Sequence, residues 1–271
     1  MTTLRKKHQI LINDNVRMRA YERAIHKIVR TDDIVADMGC GLGVLSFMAA
    51  RSGAARIHAV EVDPDTLNIA RTETEHAGLT PRIIFHNGLA QKIAVPERVD
   101  VIVSETMGSF GFNENILPLL IDARTYWLKP GGRICPQALA LTLAPADIVT
   151  PRRSGLHVMN VAMDALLAAP ITTERVNFLE TNERDLVVRP SFTFTRDGNF
   201  TGIAGWFTAW LAERISFCTG PTHHDTHWHQ GFLPLRKPIP VRAGQQLHLI
   251  FGIGPDESGL QSVMEFDFEI V

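Results

Sequence analysis

Short apolar strands alternate with helical patterns over the first half of the chain, and period-two alternation takes over in the second. Together these predict an α/β protein: a parallel, Rossmann-like sheet followed by an antiparallel, β-barrel-like half. The texture changes after Pro136, which places the division at about residues 1–138 and 139–271. With 271 residues and 45% hydrophobic content, the chain can fill one large or two ordinary cores.

Each element has a local cause. Met18, Tyr21, Ile25, Ile28 and Val29 form an apolar stripe and predict an opening helix. Asp33 to Met38 reads as a buried strand closed by Asp37-x-Gly39-x-Gly41-x-Gly43, and a helix follows from about Val44 to Arg51. A strand from Arg56 to Val60 ends in Glu61. Asp63-Pro64 then caps a helix that runs to Gly78, a residue suited to a left-handed helix end. Strands near Arg82 to Phe85 and Val99 to Val103 come next, before a helix from about Asn115 to Leu128 that Lys129-Pro130-Gly131-Gly132 should stop. In the second half, Ser191 to Thr195, Gln246 to Gly252 and Glu265 to Ile270 alternate as half-buried antiparallel strands do. Between the two textures, Val158, Val161, Ala162, Ala165 and Leu166 predict a short, partly helical arm inserted at about residues 155–184.

Charge and cysteine usage narrow the class. A net charge of −2 and a pI near 6.6 give no broad attraction for nucleic acid. Cys40, Cys135 and Cys218 lie far apart with no CxxC, so neither a disulfide framework nor a thiolate metal site is expected, and a reducing cytoplasm is the default setting. No segment has the length of a membrane span, and His8 to Val16 is too short and polar for a signal core.

The glycine turn after Asp37 lets the backbone approach a ligand, and free N–H groups at the following helix start favour an anionic group such as a carboxylate. Glu61 stands 24 residues after Asp37 (61 − 37 = 24), where an acidic side chain commonly accepts from ribose hydroxyls. The third glycine is Gly43, whereas a dinucleotide fingerprint would put it at the position of Val44, which favours S-adenosylmethionine over a nicotinamide cofactor. Glu105 and Glu114 stand nine positions apart (114 − 105 = 9) on the loop leaving Val99 to Val103. A carboxylate pair in such a loop can clasp a planar guanidinium, each nitrogen edge meeting one acceptor.

With these motifs in order, the chain from about His8 to its C-terminus resembles the protein arginine methyltransferase family. Glu105 and Glu114 match the family's double-glutamate loop, Thr226-His227-Trp228 its THW loop, and Leu11-Ile12-Asn13-Asp14-Asn15-Val16-Arg17 its first helix. The resemblance implies that Arg17 binds the cofactor carboxylate, that Asp14 pairs with His227, and that His8 contacts the ribose. Asp37, Gly39, Gly41 and Glu61 take the remaining donor places, and a homodimer is the implied assembly. Some positions depart from the pattern: the family's tyrosine-rich segment has no counterpart before His8, Ala90 stands where a glutamate often lies near adenine, Ser109 and Asn113 replace loop aromatics, and the arm is short.

The chemistry implied is methyl transfer to arginine. Guanidinium stays protonated near neutral pH with its lone pairs delocalised, so two carboxylates that draw the positive charge toward the nitrogens they bind leave the target nitrogen more nucleophilic. Glu114, or Asp14 with His227, is the expected proton acceptor, and a neighbouring carboxylate should lift His227 above its ordinary pKa of about 6.5. The compact chain and altered loop tilt the expected substrate toward free arginine or another small guanidine, with arginine in a protein or peptide as the alternative. Two readings of other classes are a non-catalytic adaptor and a metal-binding β-barrel that uses His227-x-His229. No suitably spaced glutamate follows that pair, and no metal is expected.

Overall fold

The computed structural model describes residues 13–94, 96–150, 154–257 and 262–271, without the side chain of Gln91. His8, Leu11 and Ile12 lie outside the described residues.

Five strands, β1 (Ile34–Met38), β2 (Arg56–Glu61), β3 (Ile83–Asn87), β4 (Val99–Ser104) and β5 (Leu128–Cys135), form a parallel sheet in the order β3-β2-β1-β4-β5. The chain steps outward from β1 through β2 to β3 and then returns to the other side of β1. That reversal opens a crevice at the carboxyl ends of β1 and β4, the usual ligand position in such sheets. Val35 to Met38 are all buried, because helices cover both faces of the sheet.

Helix α1 (Asn15–Ile28) begins at Asp14, whose carboxylate accepts from the Arg17 amide at 2.9 Å. It buries Arg17, Ala20, Tyr21, Ala24, Ile25 and Ile28, a stripe that includes a charged residue where sequence patterning had put Met18. Helices α2 (Val44–Arg51), α3 (Pro64–His76) and α4 (Ile116–Tyr126) follow. Asp63 caps α3 with Pro64 at its first turn, and Gly78 beyond its end has φ +68°. Helix α4 stops at Tyr126, and Lys129-Pro130-Gly131-Gly132 lies inside β5 rather than breaking the helix. An edge strand tolerates proline and glycine because one side of its backbone owes no ladder hydrogen bond.

The second half is antiparallel. One sheet has the order β7 (His157–Met159), β14 (Gln230–Val241), β12 (Gly198–Ala212), β6 (Ala138–Ala146), β8 (Ile171–Thr172). On this sheet β9 (Val176–Asn177) also pairs with β6, and β13 (Ile215–Cys218) with β12. A second sheet sets β10 (Leu186–Val188) and β11 (Ser191–Thr193) against β15 (Gln246–Pro255), which also pairs with β16 (Ser262–Ile270).

The helical arm expected at 155–184 does not form. Those residues give β7, β8, β9 and a single 3-10 turn at Met163–Ala165. Val161 and Leu166 drop into a cluster with Ala144, Ala146, Ala204, Trp206 and Phe232, while Val158 is exposed. Burial against β6 and β12 outweighs a helical spacing only a few residues long.

The main core runs through both halves, from Tyr21 and Trp127 to Phe207 and Phe251. Helix α1 packs against β5 and α2 on one side and against β12 and β13 on the other, so its N-terminus lies at the seam.

Candidate active site

The crevice brings together three strand ends. At the end of β1, Gly39, Gly41 and Gly43 all take positive φ (74°, 53° and 80°), which L side chains rarely adopt. A Cβ on Gly39 would also meet Thr106 Cγ2 at 2.7 Å, so this position must be bare for the two loops to lie together. At the end of β2, Glu61 accepts from the Gly41 amide at 3.0 Å through one oxygen and from the Val62 and Asp63 amides at 2.8 and 3.0 Å through the other. Glu61 is therefore first a brace for the glycine turn, and it lines the cavity as well. That cavity, of about 420 Å³, runs from Gly39 and Glu61 past Gly88 and Ala90 to Glu114 and the first turns of α4.

Arg17 enters from α1. Its Nε donates to Glu105 Oε2 at 3.2 Å, while its buried Nη1 has no partner within the protein. Beneath the glycine turn, Asp37 is fully buried, with one oxygen taken by the Ser46 hydroxyl at 2.7 Å and the other unpaired. Burial raises its pKa to about 7, opposed by the Ser46 hydrogen bonds and reinforced by Glu61. An orphan donor on Arg17 and an orphan acceptor on Asp37, close enough for their charges to interact, are the complement of the carboxylate and ammonium of an amino acid. These residues fit S-adenosylmethionine, whose methionine end carries both groups.

Glu105 and Glu114 lie close enough for their charges to interact. Burial pushes Glu105 up to about 7; Arg17 works against that shift and Glu114 adds to it. Glu114 opens to solvent at the cavity mouth but has protein around much of its carboxyl, and the lost hydration raises its pKa. The loop between them is pinned at several points. The Phe110 ring is fully buried, stacks on Phe251 at 5.5 Å, and fills space that Gly205 and Gly231 leave by lacking a Cβ. Asn113 accepts from the Phe110 amide at 2.8 Å, so the residue that replaced an aromatic shapes the loop from within. Met107 gives its carbonyl to the indole N–H of Trp228, which stacks on Phe217. Tyr21 holds the start of the loop by donating to the Ser104 carbonyl at 2.9 Å.

Asp14 and His227 meet across the seam. One carboxylate oxygen of Asp14 caps α1, and the other accepts from both the amide and Nδ1 of His227, at 2.9 and 2.8 Å. Burial works to raise the Asp14 pKa, but the His227 and Arg17 hydrogen bonds outweigh it and the pKa is lowered. His227 moves opposite to the sequence expectation: burial lowers its pKa, and the Asp14 contact only partly offsets this. The lowered pKa favours the neutral imidazole, and in that form Nδ1, facing a carboxylate oxygen, is the nitrogen that carries the proton, which leaves Nε2 as an acceptor. His229 Nδ1 lies 2.7 Å from Asn160 Oδ1, and no group of three metal-ligating side chains occurs among the described residues.

Of the residues singled out in the sequence, Asp14, Arg17, Asp37, Gly39, Gly41, Glu61, Glu105, Glu114 and His227 all lie around this crevice, and His8 is outside the described residues. Tyr21 and Ser46 were missed: a tyrosine in an apolar stripe and a serine in a helix carry no signal until their partners are placed.

Comparison with known proteins agrees with this geometry. A model described as a methyltransferase domain matches residues 35–132, and one described as the arginine methyltransferase oligomerization subdomain matches residues 146–269. The histone-arginine methyltransferase CARMER of Anopheles gambiae is 32% identical, over 88% of this chain and 44% of that protein. Its counterpart in Drosophila ananassae is 30% identical, over 88% and 52%. The chain spans about half the length of the curated relatives it matches. Among solved structures, protein arginine methyltransferase 10 of Arabidopsis thaliana superposes with a TM-score of 0.83 at 23% identity, covering 97% of this chain and 92% of that one. The Trypanosoma brucei PRMT1 enzyme-prozyme heterotetrameric complex with AdoHcy gives 0.79 at 20%, covering 97% of each chain, and these likenesses show the fold.

A parallel sheet with a glycine turn at its reversal point, fitted to S-adenosylmethionine and continued by an antiparallel β half, defines a class I methyltransferase architecture. The chain belongs to the protein arginine methyltransferase family.

Proposed function

We propose that this protein is an S-adenosylmethionine-dependent N-methyltransferase acting on arginine side chains of proteins. The observation that carries the proposal is the proximity of two carboxylates, Glu105 and Glu114, beside a cavity lined by Glu114, Glu61 and Gly39, with an unpaired donor on Arg17, itself bonded to Glu105, and an unpaired acceptor on Asp37 beneath the glycine turn. When bound, S-adenosylmethionine supplies an electrophilic methyl group on a sulfonium. The protein's own share is alignment and charge. Arg17 and Asp37 hold the amino-acid end of the donor, and Glu61 keeps the glycine turn in shape beside its ribose. Glu105 and Glu114 grip the guanidinium and draw its positive charge away from the nitrogen that attacks. Neutral His227, oriented by Asp14, offers Nε2 as a proton acceptor, with Glu114 as the other candidate.

The sequence alone tilted toward free arginine. The matched relatives are named histone-arginine methyltransferases, which favours arginine within a protein. Assembly as a homodimer belongs to the same proposal, supported by the match to an oligomerization subdomain. Incubation with isotopically labelled donor and either an arginine-rich peptide or free arginine, followed by mass spectrometry, tests the substrate. Label on a peptide arginine is the expected outcome. Label on free arginine alone returns the small-guanidine reading, and label on neither overturns the function.

A further inference from the structure

The donor cavity has a wall that none of the matched sequence motifs supplies. Besides the glycine turn and α4, it is lined by Arg184 and by the tip Pro255-Asp256-Glu257 at the end of β15. Arg184 closes a strap, residues 178–184, that connects β9 to β10 and lies along α4. At one end of the strap Phe178 is fully buried and gives its carbonyl to Arg124 Nη1 at 2.9 Å. Arg124 Nη2 reaches Asn182 Oδ1 at 2.6 Å. At the other end the two terminal nitrogens of Arg184 donate to the two oxygens of Asp122, at 2.7 and 2.9 Å. Asp122 is itself a cavity residue, on the same helix as Pro118 and Leu119, which also line the space.

A half-exposed ion pair ordinarily contributes little. This one differs in two ways: it is a two-point fork that fixes orientation as well as distance, and it spans the two walls of a ligand cavity. Beyond the strap, Asp185 abuts Gly254, where an added Cβ would stand 3.2 Å from the aspartate Cβ, and Leu186 pairs with Ile253. The position of Arg184 is thereby passed on to the tip at 255–257. Without the fork, α4 stays tied to the β half by Arg124 with Phe178 and Asn182 and by Asn115 with Ser262, but no other hydrogen bond among the described residues fixes the spacing at Asp122, on the cavity wall itself.

We propose that Asp122 and Arg184 are positioning residues for the methyl donor, setting the spacing between α4 and the β-half wall of its cavity. This rests on the assignment of the cavity to S-adenosylmethionine. Calorimetry with S-adenosylhomocysteine on the full chain, its D122A, R184A and R184K variants and the D122A/R184A double variant tests it, with thermal melting as a control. The expected result is a roughly five-fold loss of affinity in each alanine single, no further loss in the double, and a smaller loss in R184K, which keeps the charge but not the fork. In steady-state assays the donor KM should rise by a similar factor while kcat stays within about two-fold of the parent. Unchanged affinity in R184A, additive losses in the double, or a lowered Tm with unchanged affinity overturns the positioning role. Failure of the parent itself to bind S-adenosylhomocysteine overturns the donor assignment, and the proposal with it.

Discussion

At the scale of single residues, the site depends on groups whose charge is set by what surrounds them. Glu105 accepts from Arg17 and also faces Glu114, so the same carboxylate touches the donor side and the acceptor side. Glu105→Gln should therefore lower transfer by roughly 10²- to 10³-fold and also weaken donor binding slightly, whereas Glu114→Gln should lower transfer as much and leave donor binding intact. Single-turnover rates and calorimetry separate the two, and a near-parental rate in either variant would show that its carboxylate does not grip the guanidinium. For Asp14 and His227, each substitution to alanine strands the other partner, so each single variant should lose most of what the double loses. Nuclear magnetic resonance titration of His227 should give a pKa below the ordinary 6.5, and lower again in Asp14→Asn, because burial disfavours imidazolium and Asp14 is what partly supports it. A value above 6.5 would mean that the carboxylate outweighs burial.

At the scale of elements, the double-glutamate loop is held by its neighbours more than by its own sequence. Phe110 reaches into the β half where Gly205 and Gly231 make room, and the Trp228 indole holds the Met107 carbonyl. Gly205→Ala would set a methyl group into the Phe110 ring and should cost about 1–3 kcal/mol of stability, with turnover falling further as the loop shifts. Trp228→Phe leaves a buried carbonyl unpaired at a cost of about 1–3 kcal/mol. Because its contact lies on the acceptor side, kcat should fall while affinity for S-adenosylhomocysteine stays level. Equal losses in both quantities would place Trp228 in general support of the fold instead.

At the scale of the whole molecule, two buried carboxyls with pKa values near 7 make stability and activity respond oppositely to pH. A carboxyl whose pKa is raised on folding stabilises most fully below its unfolded value, and that contribution is lost as pH rises through the folded value. Asp37 and Glu105 together should cost the unliganded protein on the order of 1 kcal/mol between pH 6.5 and 8, seen as a falling Tm. Over the same interval kcat/KM should rise, since gripping a guanidinium requires the ionised form. S-adenosylhomocysteine, whose ammonium group would face Asp37, should flatten the fall in Tm. A Tm that is level or rising across this window in the free protein would show that these groups ionise without penalty.

Local residue order was enough to determine the alternating elements from β1 to β4, the glycine turn after Asp37, the cap at Asp63, and the loop that carries Glu105 and Glu114. These depend on contacts within a few positions or on spacings that topology carries to one edge of the sheet. Whatever depends on a distant neighbour was decided by tertiary structure. Residues 155–184 carry a helical spacing but become strands and a turn, because β6 and β12 offer a surface on which Val161 and Leu166 bury more area than a short isolated helix could. Arg17 lies inside the apolar stripe of α1 because Glu105, 88 residues further on (105 − 17 = 88), is there to receive it. His227 was expected to titrate above its ordinary value beside Asp14; burial lowers its pKa instead, since the cost of desolvating an imidazolium depends on atoms that no local pattern reveals.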